Sequence, residues 1–174
     1  MFTSNLRKDH LTIKRLRNIA KQCSDLLYEG RYIPYDDIKE LVITIEEFID
    51  KCHHGKEECS FFPTLKYKEL QGEIDALLVE HEFGRRVAKM VSKALDEWLE
   101  SKDIEPVARL LNAYVTFLDL HMEREEKFFD LIDENYNIEN IVNEDRFKEL
   151  SDKMAKIRDK IDKLEAKAWY EGSN

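Results

Sequence analysis

Apolar residues return at intervals of three and four through four long stretches of the chain, the spacing that puts them on one face of an α-helix. The first stretch carries Leu11, Leu16, Ile19, Ala20, Cys23 and Leu27, and stops near Gly30 and Pro34. The second carries Ile38, Leu41, Val42, Ile45, Phe48, Ile49 and Cys52, and runs towards Ser60 before Pro63. The third extends from about Lys66 to Ser101, with Leu70, Ile74, Leu77, Leu78, Val87, Val91, Leu95 and Trp98 on or near its stripe. The fourth opens after Pro106, whose missing N–H does no harm in a first turn, and carries Val107, Leu110, Leu111, Tyr114, Phe117, Leu118 and Phe128. A fifth, Arg146 to Trp169, is highly charged, with sparser apolar positions at Leu150, Met154, Ile157, Ile161 and Leu164. The pattern predicts an all-α protein, an up-down four-helix bundle with an additional C-terminal helix. Residues 1–135 are expected to form the bundle, and 136–174 a loop and covering helix of the same domain.

Composition narrows this further. Five glycines and three prolines in 174 residues leave little room for a loop-rich or strand-rich fold. A formal charge of −9 argues against a nucleic-acid backbone as partner. No run approaches the roughly 18 apolar residues of a membrane span, and Met1 to Asp9 lacks the apolar centre of a signal peptide. A cytoplasmic protein is expected. Cys23, Cys52 and Cys59 form no CxxC pair, which excludes a disulfide framework or zinc finger, and the first two fall on apolar stripes as small core filler.

The five histidines carry the candidate chemistry, because each of the four main stretches holds at least one. HHGKEE, His53 to Glu58, gives two His-Glu pairs at a spacing of four, His53 with Glu57 and His54 with Glu58. Such pairs share a helix face about 6 Å apart and can grip one metal centre. Extending the apolar stripe makes His53 and Glu57 the better inward pair and carries His54 round with Asp50 to the polar side, although Gly55 leaves the choice open. HMEREE, His121 to Glu126, repeats the arrangement: His121 continues the stripe of Phe117 and Leu118, and Glu125 follows four residues on, with Glu126 the less central alternative. His81 sits one turn after Leu77, with Gly84 close by, and His10 follows Asp9 on the first stretch. Tyr114, two turns before His121, is placed to donate a hydrogen bond to the site. A histidine on an apolar face is usually a hydrogen-bonded core residue, but two His-Glu pairs at the ends of apolar stripes, with His10 and His81 on the other helices, favour a buried site for iron, manganese or zinc. Two other metal motifs fail: a Glu-x-x-His ferritin-type site finds Asp50, Leu78 and Leu118 at the required positions, and His-Glu-x-x-His breaks at Arg85.

The segments DHLTI around His10, FIDKCHHGKEECSFFP (Phe48–Pro63), LLVEHEFGRR (Leu77–Arg86) and HMEREEKFF (His121–Phe129) resemble the hemerythrin-like family of HHE cation-binding domains. The resemblance covers about Lys8 to Asp130 and leaves the fifth helix without a counterpart. It implies a four-helix bundle holding two non-haem irons, with His10, His53, His81 and His121 as terminal ligands and Glu57 and Glu125 as bridges. In one respect the chain departs from the family's oxygen carriers, which have a second histidine four residues after that of the third helix; here Arg85 stands in its place. That residue is expected to leave a coordination position open, to offer a donor towards a bound oxidant, or to turn away to Glu82. The function implied is binding or reduction of a small oxidant (oxygen, peroxide or nitric oxide), served by a redox partner. The alternative is an iron-sensing module read by a partner protein through the C-terminal helix. Nothing in the sequence marks a substrate pocket or a catalytic residue.

Overall fold

The computed structural model describes residues 2–172. Helix α1 spans Phe2–Tyr28. Helix α2 starts as an α-helix over Tyr35–Ile45, widens to a π-helix over Glu46–His54, is π-helical again over Glu57–Phe61, and ends with Phe62–Thr64. A 3-10 turn at Lys68–Leu70 leads into α3, Gln71–Ser101. Helix α4 runs over Glu105–Asn135 with Pro106 in its first turn, and α5 over Glu144–Glu165. No strand occurs among the described residues, and no described helix is long and apolar enough to cross a membrane.

Local chemistry sets the helix ends. Gly30, at a φ of 73°, closes α1: its N–H bonds Leu27 O at 3.1 Å, and that of Arg31 bonds Leu26 O at 2.9 Å. This is the paired arrangement that satisfies the last carbonyls of a helix, and it favours glycine at the left-handed position. Lys102 closes α3 in the same left-handed region, its N–H returning to Trp98 O.

Helix α4 packs along both α1 and α3, α2 faces α3, and α5 lies on α2 and α1. Two apolar clusters fill the bundle. The larger holds Ile13 to Leu27 of α1, Ile38 to Cys52 of α2, Val87 to Leu95 of α3, Val107 to Met122 of α4 and the stripe from Leu150 to Leu164 of α5. The smaller gathers Leu6, Phe61, Phe62, Leu77, Phe128, Phe129 and Phe147 towards the other end. The histidines lie between these clusters on every strut, at 10, 53–54, 81 and 121, so one polar layer separates two dry halves. Cys23 and Cys52 are buried as expected. The expected first stripe needs one correction: Leu11 is 65% exposed, because Leu16 steps back through Ile13 and His10 to Leu6, and Leu11 falls off that face.

Candidate metal centre

Each helix delivers its histidine to the polar layer by the register of its apolar stripe. His10, His53, His54, His81 and His121 are all at most 2% exposed, and Glu57 and Glu125 are fully buried. His10 Nε2 lies 3.2 Å from His53 Nε2 and 3.1 Å from Glu125 Oε2. On the other side, Glu125 Oε1 lies 3.0 Å from His121 Nε2 and 3.4 Å from His81 Nε2. Glu125 therefore turns one oxygen to each pair of imidazoles. Glu57 Oε2 also stands between the halves, 3.4 Å from His81 Nε2 and 3.7 Å from His53 Nε2.

His54 is the correction to the sequence reading. Placed on the polar side by an α-helical projection, it is instead buried, stacked on His81 with centroids 3.8 Å apart and edge-on to His121 at 5.4 Å. The cause is the π-helix. With i→i+5 hydrogen bonding, each residue turns the chain through a smaller angle than in an α-helix, so two consecutive histidines can face inward together. The ligand atoms of His54, His81 and His121 form one compact group, and those of His10, His53 and Glu125 another.

The two members of each glutamate pair stand in different places. Glu57 and Glu125 point into the layer, whereas Glu58 and Glu126 stand behind it. Nδ1 of His10 donates to Glu126 (2.6 Å), of His81 to Glu58 (2.7 Å), of His121 to Glu80 (2.8 Å) and of His53 to Asp9 (3.4 Å). A cation braces each carboxylate: Arg7 on Glu126, Arg85 on Glu58, Arg124 on Glu80 and Lys56 on Asp9. An ionised carboxylate only accepts, so each Nδ1 carries a proton and each Nε2 is turned inward, where it becomes a ligand once its own proton is displaced. Arg85 turns away from the layer, to Glu58, Glu82 and Asp50. Tyr114 is buried and packs on Phe117 at 5.8 Å, and Phe117 stacks on His121 at 5.3 Å. The Tyr114 hydroxyl makes no hydrogen bond to a site residue among the described residues.

Sequence reasoning missed Glu80, Arg7 and Arg124, whose links run across helices, Glu80 to His121 and the two arginines to the carboxylates behind His10 and His121, and which carry no local signature. Lys56 did have one. It lies seven residues after Ile49 and four after Cys52, on the buried stripe, where a lysine is easily read as a surface charge.

The electrostatics favour a cation. Burial alone would lower His10, His81 and His121, but hydrogen bonds and charge from Glu125 and neighbouring carboxylates raise them to about 10, 11 and 9. Burial would raise the Glu125 carboxyl, yet His121, His10 and His53 hold it well below the usual range. His54 is pushed well below its usual value, by burial first and then by His81, His121 and His53. Both nitrogens of His54, both oxygens of Glu57 and Nε2 of His121 have no hydrogen-bond partner. Orphaned buried groups are costly, and these sit close together without being aligned on one another. Two ligands about 2.1 Å from one metal at a right angle lie about 3.0 Å apart, close to the 3.0–3.4 Å separations of the nearest pairs here. The donor set fits metal ions of mixed nitrogen and oxygen preference.

The family model described as "Hemerythrin HHE cation binding domain" matches residues 1–132, a span that ends near the close of α4 and excludes α5. No curated protein and no solved structure matches the chain.

Proposed function

Because the chain belongs to the hemerythrin HHE cation-binding family, we propose that its buried polar layer holds two iron ions bridged by carboxylates and that the loaded site binds or reduces a small oxidant. The observation that carries this reading is the placement of Glu125, one oxygen towards His10 and the other towards His81 and His121. A carboxylate between two cations offsets their mutual repulsion, and neutral imidazoles limit the total charge in a dry site. In this reading His10 and His53 serve one ion, His54, His81 and His121 the other, with Glu57 and Glu125 between them. His54 would supply the imidazole that Arg85 replaces in the third helix, and the set is then not one histidine short. Two ferrous ions would supply electrons and an open coordination position to oxygen, peroxide or nitric oxide. The chain's own residues do the rest. The carboxylates behind each Nδ1 lock the ring orientations, and Phe61, Phe62, Phe117 and Phe129 pack around the histidines and exclude water.

The same reading takes helices α1 to α4 as an up-down bundle, since joins of three to six residues favour antiparallel neighbours. Residues 136–174 then belong to the same domain, in a cytoplasmic protein served by a redox partner. Manganese or zinc in place of iron is a separate outcome of the same measurement. Elemental analysis of untagged protein purified without chelator, followed by anaerobic ferrous loading, is expected to give about two irons per chain. Reaction of that form with oxygen, peroxide and nitric oxide should then change its absorption spectrum. One iron or none after loading refutes the dinuclear site, and two irons inert to all three oxidants refute the assigned reactivity.

A further inference from the structure

Lys56 is the only lysine or arginine fully buried among the described residues. Its Nζ bonds the Asp9 carboxylate, Asn5 Oδ1 at 2.7 Å and Ser151 Oγ at 3.3 Å, and lies 4.9 Å from the centre of the Phe147 ring. Asp9 and Asn5 belong to α1; Ser151 and Phe147 belong to α5. The other three cations that brace carboxylates behind histidines, Arg7, Arg85 and Arg124, are all partly open to water. Water can replace a lost partner for those guanidiniums, but not for an ammonium in a dry interior. Next to Lys56, a side chain at Gly55 would bring its Cβ to 3.2 Å from Leu150 Cδ1. Helix α5 is thus seated directly against the backbone that carries His53 and His54. Its first turn is tied to α2 as well: Asn143 Nδ2 donates to Cys59 O at 2.9 Å, and Ser60 Oγ donates to Asn143 O at 3.2 Å.

From these contacts we propose that Lys56 is a positioning residue for the His10–His53 half of the centre, and that through it the docked α5 sets the metal affinity of that half. The inference rests on the dinuclear reading above and adds to it a regulatory role for a helix outside the matched family span. Ser151 and Phe147 hold the ammonium, the ammonium holds the Asp9 carboxylate, and Asp9 holds the His53 ring with its Nε2 inward. Release of α5 admits water to Lys56 and frees Asp9, so His53 loses its fixed orientation. The His54–His81–His121 half is braced by Arg85 and Arg124, whose hydrogen bonds run to Asp50, Glu58, Glu82, Glu73 and Glu80 on α2 and α3 and not to α5. Coupling of this kind is reciprocal, so metal in the His10–His53 half must in turn tighten the docking of α5.

The test is a titration of metal-free, full-length protein with cobalt(II) under anaerobic conditions, followed by the d–d absorption bands and by competition with a chelator. Wild type should take two equivalents. Lys56→Met should keep one at unchanged affinity and weaken the other roughly 10- to 100-fold, the usual effect of losing an outer partner of a ligand. Ser151→Ala, which leaves the Lys56–Asp9 pair intact, should weaken the same equivalent to a smaller degree. His54→Leu should lose the opposite one. In wild type, amide hydrogen exchange across 144–165 should slow when the His10–His53 equivalent binds and not when the other does. That measurement carries the test if Lys56→Met does not fold. Unchanged affinities in Lys56→Met, equal weakening of both equivalents, or exchange in α5 indifferent to metal would each overturn the proposal. Failure of wild type to take two equivalents would overturn the dinuclear reading itself.

Discussion

Replacing Gly84 with alanine tests why a glycine stands inside the longest stripe of α3. On helix propensity alone the change should stabilise the protein by about 1 kcal/mol. The surroundings oppose it. A Cβ at Gly84 would lie 2.5 Å from Cε1 and 2.7 Å from Cζ of Phe117, far inside the separation of about 3.5–4.0 Å at which carbon atoms attract. The ring has little room to retreat, because its plane stacks on His121 at 5.3 Å and its rim meets Phe83 at 5.6 Å and Tyr114 at 5.8 Å. Forcing a methyl group into such packing costs about 1–3 kcal/mol. A required displacement of about 1 Å puts the cost in the upper part of that range, about 2–3 kcal/mol, and with the propensity gain subtracted the net loss should be about 1–2 kcal/mol. For a chain of this size that corresponds to a fall in Tm of roughly 2–8 °C. Thermal and urea melts of metal-free protein measure it, with an unchanged urea slope showing that stability and not compactness has moved. Adding Phe117→Leu should recover most of the loss, giving a coupling of about 0.5–3 kcal/mol between the two positions. A Gly84→Ala protein more stable than wild type by about 1 kcal/mol would refute the reasoning. It would mean that the aromatic wall behind His121 yields freely.

Three further outcomes can be checked on the same protein. His54→Leu removes two orphaned nitrogens from the interior and should stabilise the metal-free protein by about 1–3 kcal/mol while lowering metal stoichiometry; a variant that loses stability and keeps both metals contradicts the placement of His54. The metal-free protein should also melt lower at pH 10 than at pH 7. His10, His81 and His121 are raised from 6.5 to about 10, 11 and 9, so their contribution is complete below about 6.5 and disappears as pH rises through 9 to 11. Below about 6.5 the depressed His54 works against stability, because the buried ring resists the proton that the unfolded chain accepts. Metal affinity should run the other way and rise with pH, since each ion displaces protons from the imidazoles; a melting temperature flat from pH 7 to 10 would refute this account. Finally, Glu80→Gln leaves His121 with a weaker acceptor and frees Arg124, and should weaken metal binding about tenfold with little change in the melt. No change in affinity by cobalt(II) titration would remove Glu80 from the support of the site.

His10, His53, His81, His121, Glu57 and Glu125 were legible as inward-facing residues because each continues an apolar stripe by three or four residues, and burial follows from that register alone. The glutamate alternatives were legible as pairs and not as choices, because adjacent positions differ by a rotation that depends on helix type. His54 was lost for the same reason. An α-helical projection sends it outward, and nothing in EEFIDKCHH announces i→i+5 bonding. Lys56 lay on the stripe in plain view, yet its burial depends on Asp9 and Ser151, which arrive from α1 and α5.

The sequence by itself therefore determined the all-α class, where α1 stops and α4 starts, and the level along each helix at which polar side chains enter the core. These are local matters, set by hydrophobic period, by the left-handed glycine after α1 and by proline in a first turn. Only the tertiary structure decided which carboxylate stands behind which histidine, that two consecutive histidines share the interior, and that α5 reaches the centre through Lys56. Those pairings join residues from 23 to 116 positions apart, and their partners are selected by how the helices pack, to which the spacing of residues along one helix is blind.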